Sequence, residues 1–190
     1  MPDSLINHIK RFIEINEEQE KILLSFVEYK KINKKTFLLK EGQVCENNYF
    51  ILKGCLRLFL NLDSGYEHIL QFAIENWWIT DFLSMQNGTP SKFNIQAIEN
   101  SEIIFLNKNI KNELFERIPK LESYFRIILE KAYSAAIMRI HFQLDYSGEE
   151  RFMHFNRLFP DFVQRVPQYM LASYLGFTPE FLSKVRGKKH

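Results

Sequence analysis

The sequence is short of the residues that crosslink, cradle or anchor, and each shortage removes a class of function. Its two cysteines, Cys45 and Cys55, cannot build a disulfide framework or a four-cysteine cluster, which suits a reducing cytoplasm. The seven glycines include no Gly-rich loop of the kind that wraps a phosphate. The five histidines (His8, His68, His141, His154 and His190) show neither His-x-His nor His-Glu-x-x-His spacing. A metal-dependent barrel enzyme is therefore not expected, nor is any cofactor. No apolar run approaches the roughly 18–20 residues of a membrane helix. Met1-Pro2-Asp3-Ser4-Leu5 lacks the basic stretch and apolar core of a secretory signal, so none is expected. What remains is a chain of 190 residues, 46% hydrophobic and 25% charged, which fits one large globular domain or two small ones.

Charge is unevenly placed. Residues 144–190 carry seven Lys/Arg against five Asp/Glu, while the preceding 143 residues balance at 18 of each. The excess sits mostly at the extreme C-terminal end, a weak pointer to a polyanionic partner that a solvated terminus explains equally well.

Hydrophobic periodicity divides the chain. Leu5, Ile6, Ile9, Phe12 and Ile13, then Ile22, Leu23, Phe26 and Val27, recur at helical spacing. From Thr36 the period becomes two. Leu56, Leu58, Leu60 and Leu62 fall on one side of a strand, with Cys55, Arg57, Phe59 and Asn61 on the other. Asp63-Ser64-Gly65 reads as a turn, and Tyr66, His68, Leu70 and Phe72 alternate after it. His68 is expected on a strand face. Gly42, Gly54 and Gly65 mark the beat of short antiparallel strands, and Ile95, Ala97 and Ile103-Ile104-Phe105-Leu106 supply more, so residues 30–107 read as an all-β unit. Phe72, Trp77, Trp78 and Phe93 are candidates to line an apolar pocket within it.

Helical pattern then returns. Pro119 suits a first helical turn, and neither Gly nor Pro follows until after Leu144. The predicted 26-residue helix spans about 39 Å. Leu121, Phe125, Ile128, Ala132 and Ala135 form a stripe that Leu129, Ala136 and Ile140 widen. A helix this long outruns one β unit, so a partner helix is its expected cover; packing on its own chain is the alternative. Glu149-Glu150, after a break at Tyr146-Ser147-Gly148, suits the first turn of another helix rather than a catalytic pair.

The sharpest signal lies in residues 168–186. A helix-turn-helix needs a small residue at the crossing, a turn that tolerates a left-handed backbone, and apolar residues to fix the angle. Ala172, Gly176 and the set Leu171, Leu175, Phe177, Leu182 and Val185 supply them. Thr178 caps the second helix and Pro179 takes its first turn. Thr178, Pro179, Glu180, Ser183 and Lys184 then face outward, where such a helix enters a major groove. Glu180 suits a cytosine amino group and Lys184 guanine O6/N7; Ser183 suits base or phosphate. Arg186, Lys188 and Lys189 suit phosphates. The plainer alternatives are an ordinary helical hairpin, with Glu180 completing a cap with Thr178.

The order β-roll, long helix, helix-turn-helix resembles the Crp/Fnr family of bacterial transcription regulators from about residue 20 onward. Lys40-Glu41-Gly42, Tyr49-Phe50-Ile51-Leu52-Lys53-Gly54 and Arg57 are similar to its β-roll. Glu180, Ser183 and Lys184 resemble the Glu-x-x-Ser-Arg/Lys triplet of its recognition helix. Trp77-Trp78-Ile79-Thr80-Asp81, Thr89-Pro90-Ser91 and Tyr174-Leu175-Gly176-Phe177-Thr178-Pro179-Glu180 resemble a branch common in Bacteroidetes.

The resemblance implies an α+β fold: a jelly-roll-like double-stranded β-helix sensor domain (1–118), a dimerisation helix (119–146) and a helix-turn-helix domain (147–190). It also implies a cytoplasmic homodimer on double-stranded DNA with an interrupted palindrome, in contact with RNA polymerase, answering to an unknown small-molecule effector. The effector pocket is expected around Phe72, Asp81, Ser84, Ser91 and Lys92. There the pattern departs from the family. Members that bind cyclic AMP hold the ribose with a Gly-Glu pair and the phosphate with an Arg ten residues later, positions taken here by Thr80-Asp81 and Ser91. Burying a cyclic phosphate without a guanidinium is costly, and Lys92, one residue on along a strand, faces the opposite way. Tight cyclic-nucleotide binding is not expected. Two further departures are the missing N-terminal cysteine cluster, which excludes an iron–sulfur oxygen sensor, and an expected absence of the β wing. A ligand-binding roll whose C-terminal helices bind protein remains the alternative function.

Overall fold

A continuous apolar run buries both faces of a strand, and here both faces of both sheets are used. The computed structural model describes residues 3–187. Helices α1 (Asp3–Lys10) and α2 (Glu17–Phe26) lead into strands β1 (Glu28–Ile32), β2 (Phe37–Leu39), β3 (Asn47–Lys53), β4 (Leu56–Asn61), β5 (Glu67–Ala73) and β6 (Trp78–Ile79). After the short helix α3 (Phe82–Asn87) come β7 (Asn94–Ala97) and β8 (Ser101–Asn107). The chain then continues through α4 (Lys108–Arg117), α5 (Lys120–Asp145), α6 (Gly148–Leu158), α7 (Pro160–Arg165), α8 (Gln168–Leu175) and α9 (Pro179–Gly187). The strands pair antiparallel as two four-stranded sheets, β1-β8-β3-β6 and β2-β7-β4-β5. The architecture is α+β, an antiparallel roll with a long helix and a helical C-terminal part.

Side chains sort by layer. Tyr49, Ile51, Leu56, Leu58, Ile95 and Ile103 fill the space between the sheets. Phe50, Ile104 and Leu106 point the other way, against α1, α2, α4 and the start of α5. Phe59, Ile69 and Phe72 leave the outer face of the second sheet to meet Val166 and Met170 from the C-terminal helices. Gly54, in the β3–β4 turn at φ +107°, lies so close to Ser101 that a Cβ there would stand 2.2 Å from its Oγ; neither the backbone angle nor the space admits another residue.

Three features depart from the sequence reading. Helix α3 interrupts the all-β unit: Asp81 Oδ1 accepts from Leu83 N (3.0 Å) and Ser84 N (3.2 Å), and Gly88 stops the helix at φ 65°. The alternation of Tyr66, His68, Leu70 and Phe72 fails because the β4–β5 register shifts at Leu58/Phe59, which places a bulge at Leu70. Leu70 then packs toward the interior while Phe72 turns outward. The stripe along α5 also divides. Leu121 is wholly buried in its own chain beside Tyr124, and Phe125 packs on Trp78 and Phe115, so neither presents itself to a second chain.

Helix α5 runs the 26 residues its lack of breakers predicts. Its first turns are anchored by a buried triad, in which Tyr124 Oη lies 2.8 Å from His8 Nδ1 and accepts from Trp78 Nε1 at 2.8 Å. Burial, with help from Arg11 and Lys131, lowers the His8 pKa to about 4, so its imidazole is neutral and accepts the tyrosine proton. Beyond Ile128 the helix stands off the roll, tied to it through Arg139, and leaves one face bare. Leu129, Tyr133, Ile137, Ile140 and Leu144 are exposed, the last by 79%.

The C-terminal helices seal the open border of β5. Ser173 Oγ of α8 donates to Glu67 O (2.9 Å) and accepts from Ile69 N (3.0 Å), and Arg139 donates to Leu70 O. These are main-chain groups that an edge strand leaves without a ladder partner. Arg165 adds bonds to Glu75 and Glu99 from the β5–β6 and β7–β8 connections. Among the described residues no helix is long and apolar enough to cross a membrane.

Candidate nucleic-acid interface

Helices α8 and α9 owe their angle to a small residue, a left-handed turn and an apolar seam. Ala172 is fully buried at the crossing. Gly176 takes φ 76°, ψ 38°, and Phe177 N donates to Ala172 O (2.8 Å) to close the turn. Leu171, Leu175, Leu182 and Val185 join Phe152 and Val163 in a core of their own, with Phe177 packed against it. Thr178 caps α9, its Oγ1 accepting from Phe181 N at 3.2 Å. Phe181, not Glu180, thus stands at the capped third position, and Glu180 takes no part in the cap.

The outer face of α9 is polar and unengaged. Thr178, Glu180, Ser183, Lys184 and Arg186 are all exposed, and Glu180, Ser183, Lys184 and Arg186 make no hydrogen bond or ion pair with other described residues. Lys188 and Lys189 lie outside the described residues. Glu149 and Glu150 open α6, where Glu150 returns a bond to Ser147 N (2.9 Å) in a capping box.

The candidate effector residues form the opposite picture. Asp81 Oδ2 accepts from Ser91 Oγ at 2.7 Å while its other oxygen caps α3. Ser84 Oγ donates to Thr89 O (2.6 Å) and accepts from Cys45 N (2.9 Å). Ser91 Oγ also accepts from Phe93 N (2.9 Å). All three side chains are buried and bonded to one another or to their own loop. Two of the expected pocket residues stand elsewhere: Lys92 is exposed to solvent, and Phe72 is turned outward by the Leu70 bulge to stack on Phe162 and Tyr174. Arg57 is structural, donating to Gln96 Oε1 (3.1 Å) and to Glu67 over the ring of Phe59.

A larger space lies outside the roll. Between α5, the β5–β6 stretch and α6–α8 is a cavity of about 630 Å³. Ile128, Ala132 and Ala135 of the predicted dimer stripe line it, together with Trp77, Trp78 and Phe72. Sequence reasoning did not single out Arg139 and Arg151, which also reach it, because nothing local links residues so far apart in the chain.

A β-roll closed by a long helix and followed by two helices crossing at a left-handed turn defines the class of fold to which the chain is compared. Residues 29–117 match the cyclic nucleotide-binding domain family. The fold is shared with the c-di-GMP-responsive global regulator CLP of Xanthomonas campestris, at TM-score 0.70 and 13% identity over 90% of this chain and 89% of that one. FixK2 from Bradyrhizobium japonicum aligns at TM-score 0.68 and 14% identity over 84% and 82%. A regulator assigned to the Crp/Fnr family in Eubacterium rectale aligns at TM-score 0.67 and 15% identity over 90% and 82%. No curated protein matches the sequence. Residues 29–117 are thus similar to the cyclic nucleotide-binding domain family, and the chain shares its fold with these regulators.

Proposed function

We propose that this protein is a sequence-specific DNA-binding transcription regulator of the Crp/Fnr type, a cytoplasmic homodimer without enzymatic activity. The observation that carries the reading is the outer face of α9. Glu180, Ser183 and Lys184 point away from the protein with no other described residue to bond, at the N-terminal half of a helix held as a major-groove reader is held. Arg186, with Lys188 and Lys189, adds phosphate contacts. The exposed apolar residues of α5, Leu129, Tyr133, Ile137, Ile140 and Leu144, recur at intervals of three and four and suit the same face of a second copy. Two α9 helices then read half-sites of an interrupted palindrome, and the bound dimer contacts RNA polymerase.

The roll is proposed to have lost cyclic AMP. Asp81 and Ser91 hold positions that the family resemblance gives to the ribose-binding Glu and the phosphate-binding Arg, and they bond each other. An entering phosphate meets no guanidinium and must break an internal hydrogen bond.

Binding to duplex DNA measured against salt tests the regulatory reading. A dimer with several phosphate contacts per subunit loses affinity by orders of magnitude between low and moderate salt. A monomeric chain indifferent to duplexes overturns the reading. Calorimetric titration with cyclic AMP tests the second part, and micromolar binding overturns it.

A further inference from the structure

We propose that the cavity between α5, the β5–β6 stretch and α6–α8 is a binding site for a small amphiphilic carboxylate, an acid with a long aliphatic or fused-ring body. Its volume of about 630 Å³ lies in the range of small-ligand sites. Its walls are apolar and rich in rings, among them Trp77, Trp78, Phe155 and Phe159. This gives an extended hydrocarbon body a place to lose its water.

The charged groups select the head. Among the described residues no Asp or Glu lines the cavity, whereas Lys131, Arg139 and Arg151 do. The Nε atoms of Arg139 and Arg151 are both buried and lack a hydrogen-bond partner. Among the described residues Arg139 bonds only the carbonyl of Leu70, and it lies 5.0 Å over the ring of Tyr174; Arg151 lies 4.8 Å over that of Phe177. Neither guanidinium has a carboxylate partner among the described residues. Both arginines are half-buried. Arginine does not shed its proton, so partial loss of water without a counter-charge is unfavourable, and an incoming anion relieves that cost. Base-reading groups are few, with Gln71, Asn76 and Gln143 the only side-chain amides among the described lining residues. This favours an amphiphile over a nucleotide.

An acid seated there touches α5 and the roll on one side and the helices that carry α9 on the other. Its influence on operator binding rests on the regulatory reading above; its binding does not.

The two tryptophans of the chain, Trp77 and Trp78, both line the cavity, so intrinsic fluorescence reports occupancy. The full chain is titrated with dodecanoate and with 2-naphthoate, each beside its neutral alcohol, and with cyclic di-GMP. The expected result is a saturable change with an acid, at least about tenfold tighter than with the matching alcohol. Arg139→Met and Arg151→Met keep the apolar stem and are expected to remove most of that preference while leaving alcohol binding unchanged, which also reports an intact fold. Equal affinity for acid and alcohol, no saturation with either acid, or saturation with cyclic di-GMP alone overturns the proposal. Failure to bind DNA with retained acid binding overturns only the regulatory reading, and DNA binding without acid binding overturns only this one.

Discussion

The cluster around Asp81 and the outer face of α9 are built from similar side chains and put them to opposite use. In the roll, Asp81, Ser84 and Ser91 exchange hydrogen bonds with one another and with their own loop. On α9, Glu180, Ser183 and Lys184 carry equivalent groups that meet no other described residue. A polar group bonded inside a fold holds that fold; one left open to solvent remains available to a partner. The difference teaches that resemblance to a binding motif matters less than whether its bonding capacity is still free.

The largest expected effect comes from emptying the open face. Replacing both Glu180 and Lys184 by Ala removes the two proposed base contacts, each expected to carry roughly 1–3 kcal/mol of discrimination. A duplex library selected with the double variant is expected to show relaxed preference at those positions, with little change in melting temperature. Unchanged selection breaks the comparison at its open end. Asp81→Ala tests the closed end. It deletes the α3 cap and leaves the Ser91 hydroxyl without its acceptor, and a loss of about 3 kcal/mol is expected in denaturant unfolding with DNA preference retained. A neutral outcome means the cluster is not structural.

Two smaller effects sharpen the contrast. Thr178→Ala removes the cap of α9 at a cost of about 1 kcal/mol, which weakens all duplexes alike by fraying the helix rather than by altering choice. Competition between cognate and scrambled duplexes separates the two. Acidification probes a third buried polar group. His8 has a folded pKa near 4 against an ordinary value of 6.5, so the unfolded chain binds its proton first. Stability from the neutral imidazole is present above about pH 6.5 and is lost progressively as pH falls toward 4. Melting temperature against pH is expected to slope less in His8→Gln over that window, because the amide oxygen still accepts from Tyr124 without titrating.

Much of this was legible in the sequence because the signals were local. The apolar alternation of β4, the apolar run of β8, the turn at Gly65 and the unbroken run after Pro119 each depend on neighbours within a few residues. The helix-turn-helix was equally readable, since Ala172, Gly176 and Thr178 act within two helical turns. Helix α3 left a signal that the reading passed over, an Asp three residues before a Ser and a Gly at its end. The Leu70 bulge left none, because it is set by the register against β4, and with it went the side on which Phe72 falls. Ile128, Ala132 and Ala135, expected on the seam, line the cavity in the single chain, a placement that helical spacing alone does not reveal. The bonds of Arg165 to Glu75 and Glu99 join residues 66 to 90 positions apart, beyond any local pattern.

The attachment of Ser173 and Arg139 to the main chain of β5 has a bearing on how the protein can be divided. Cut before α6, the roll keeps Arg139 but loses the serine, and the amide of Ile69 faces water beside a bare apolar surface of Phe59 and Phe72. Such a fragment offers itself to other strands and associates with its own kind. The C-terminal helices therefore double as a lid on an adhesive rim, and the two halves are expected to stay well behaved only as long as they are made together.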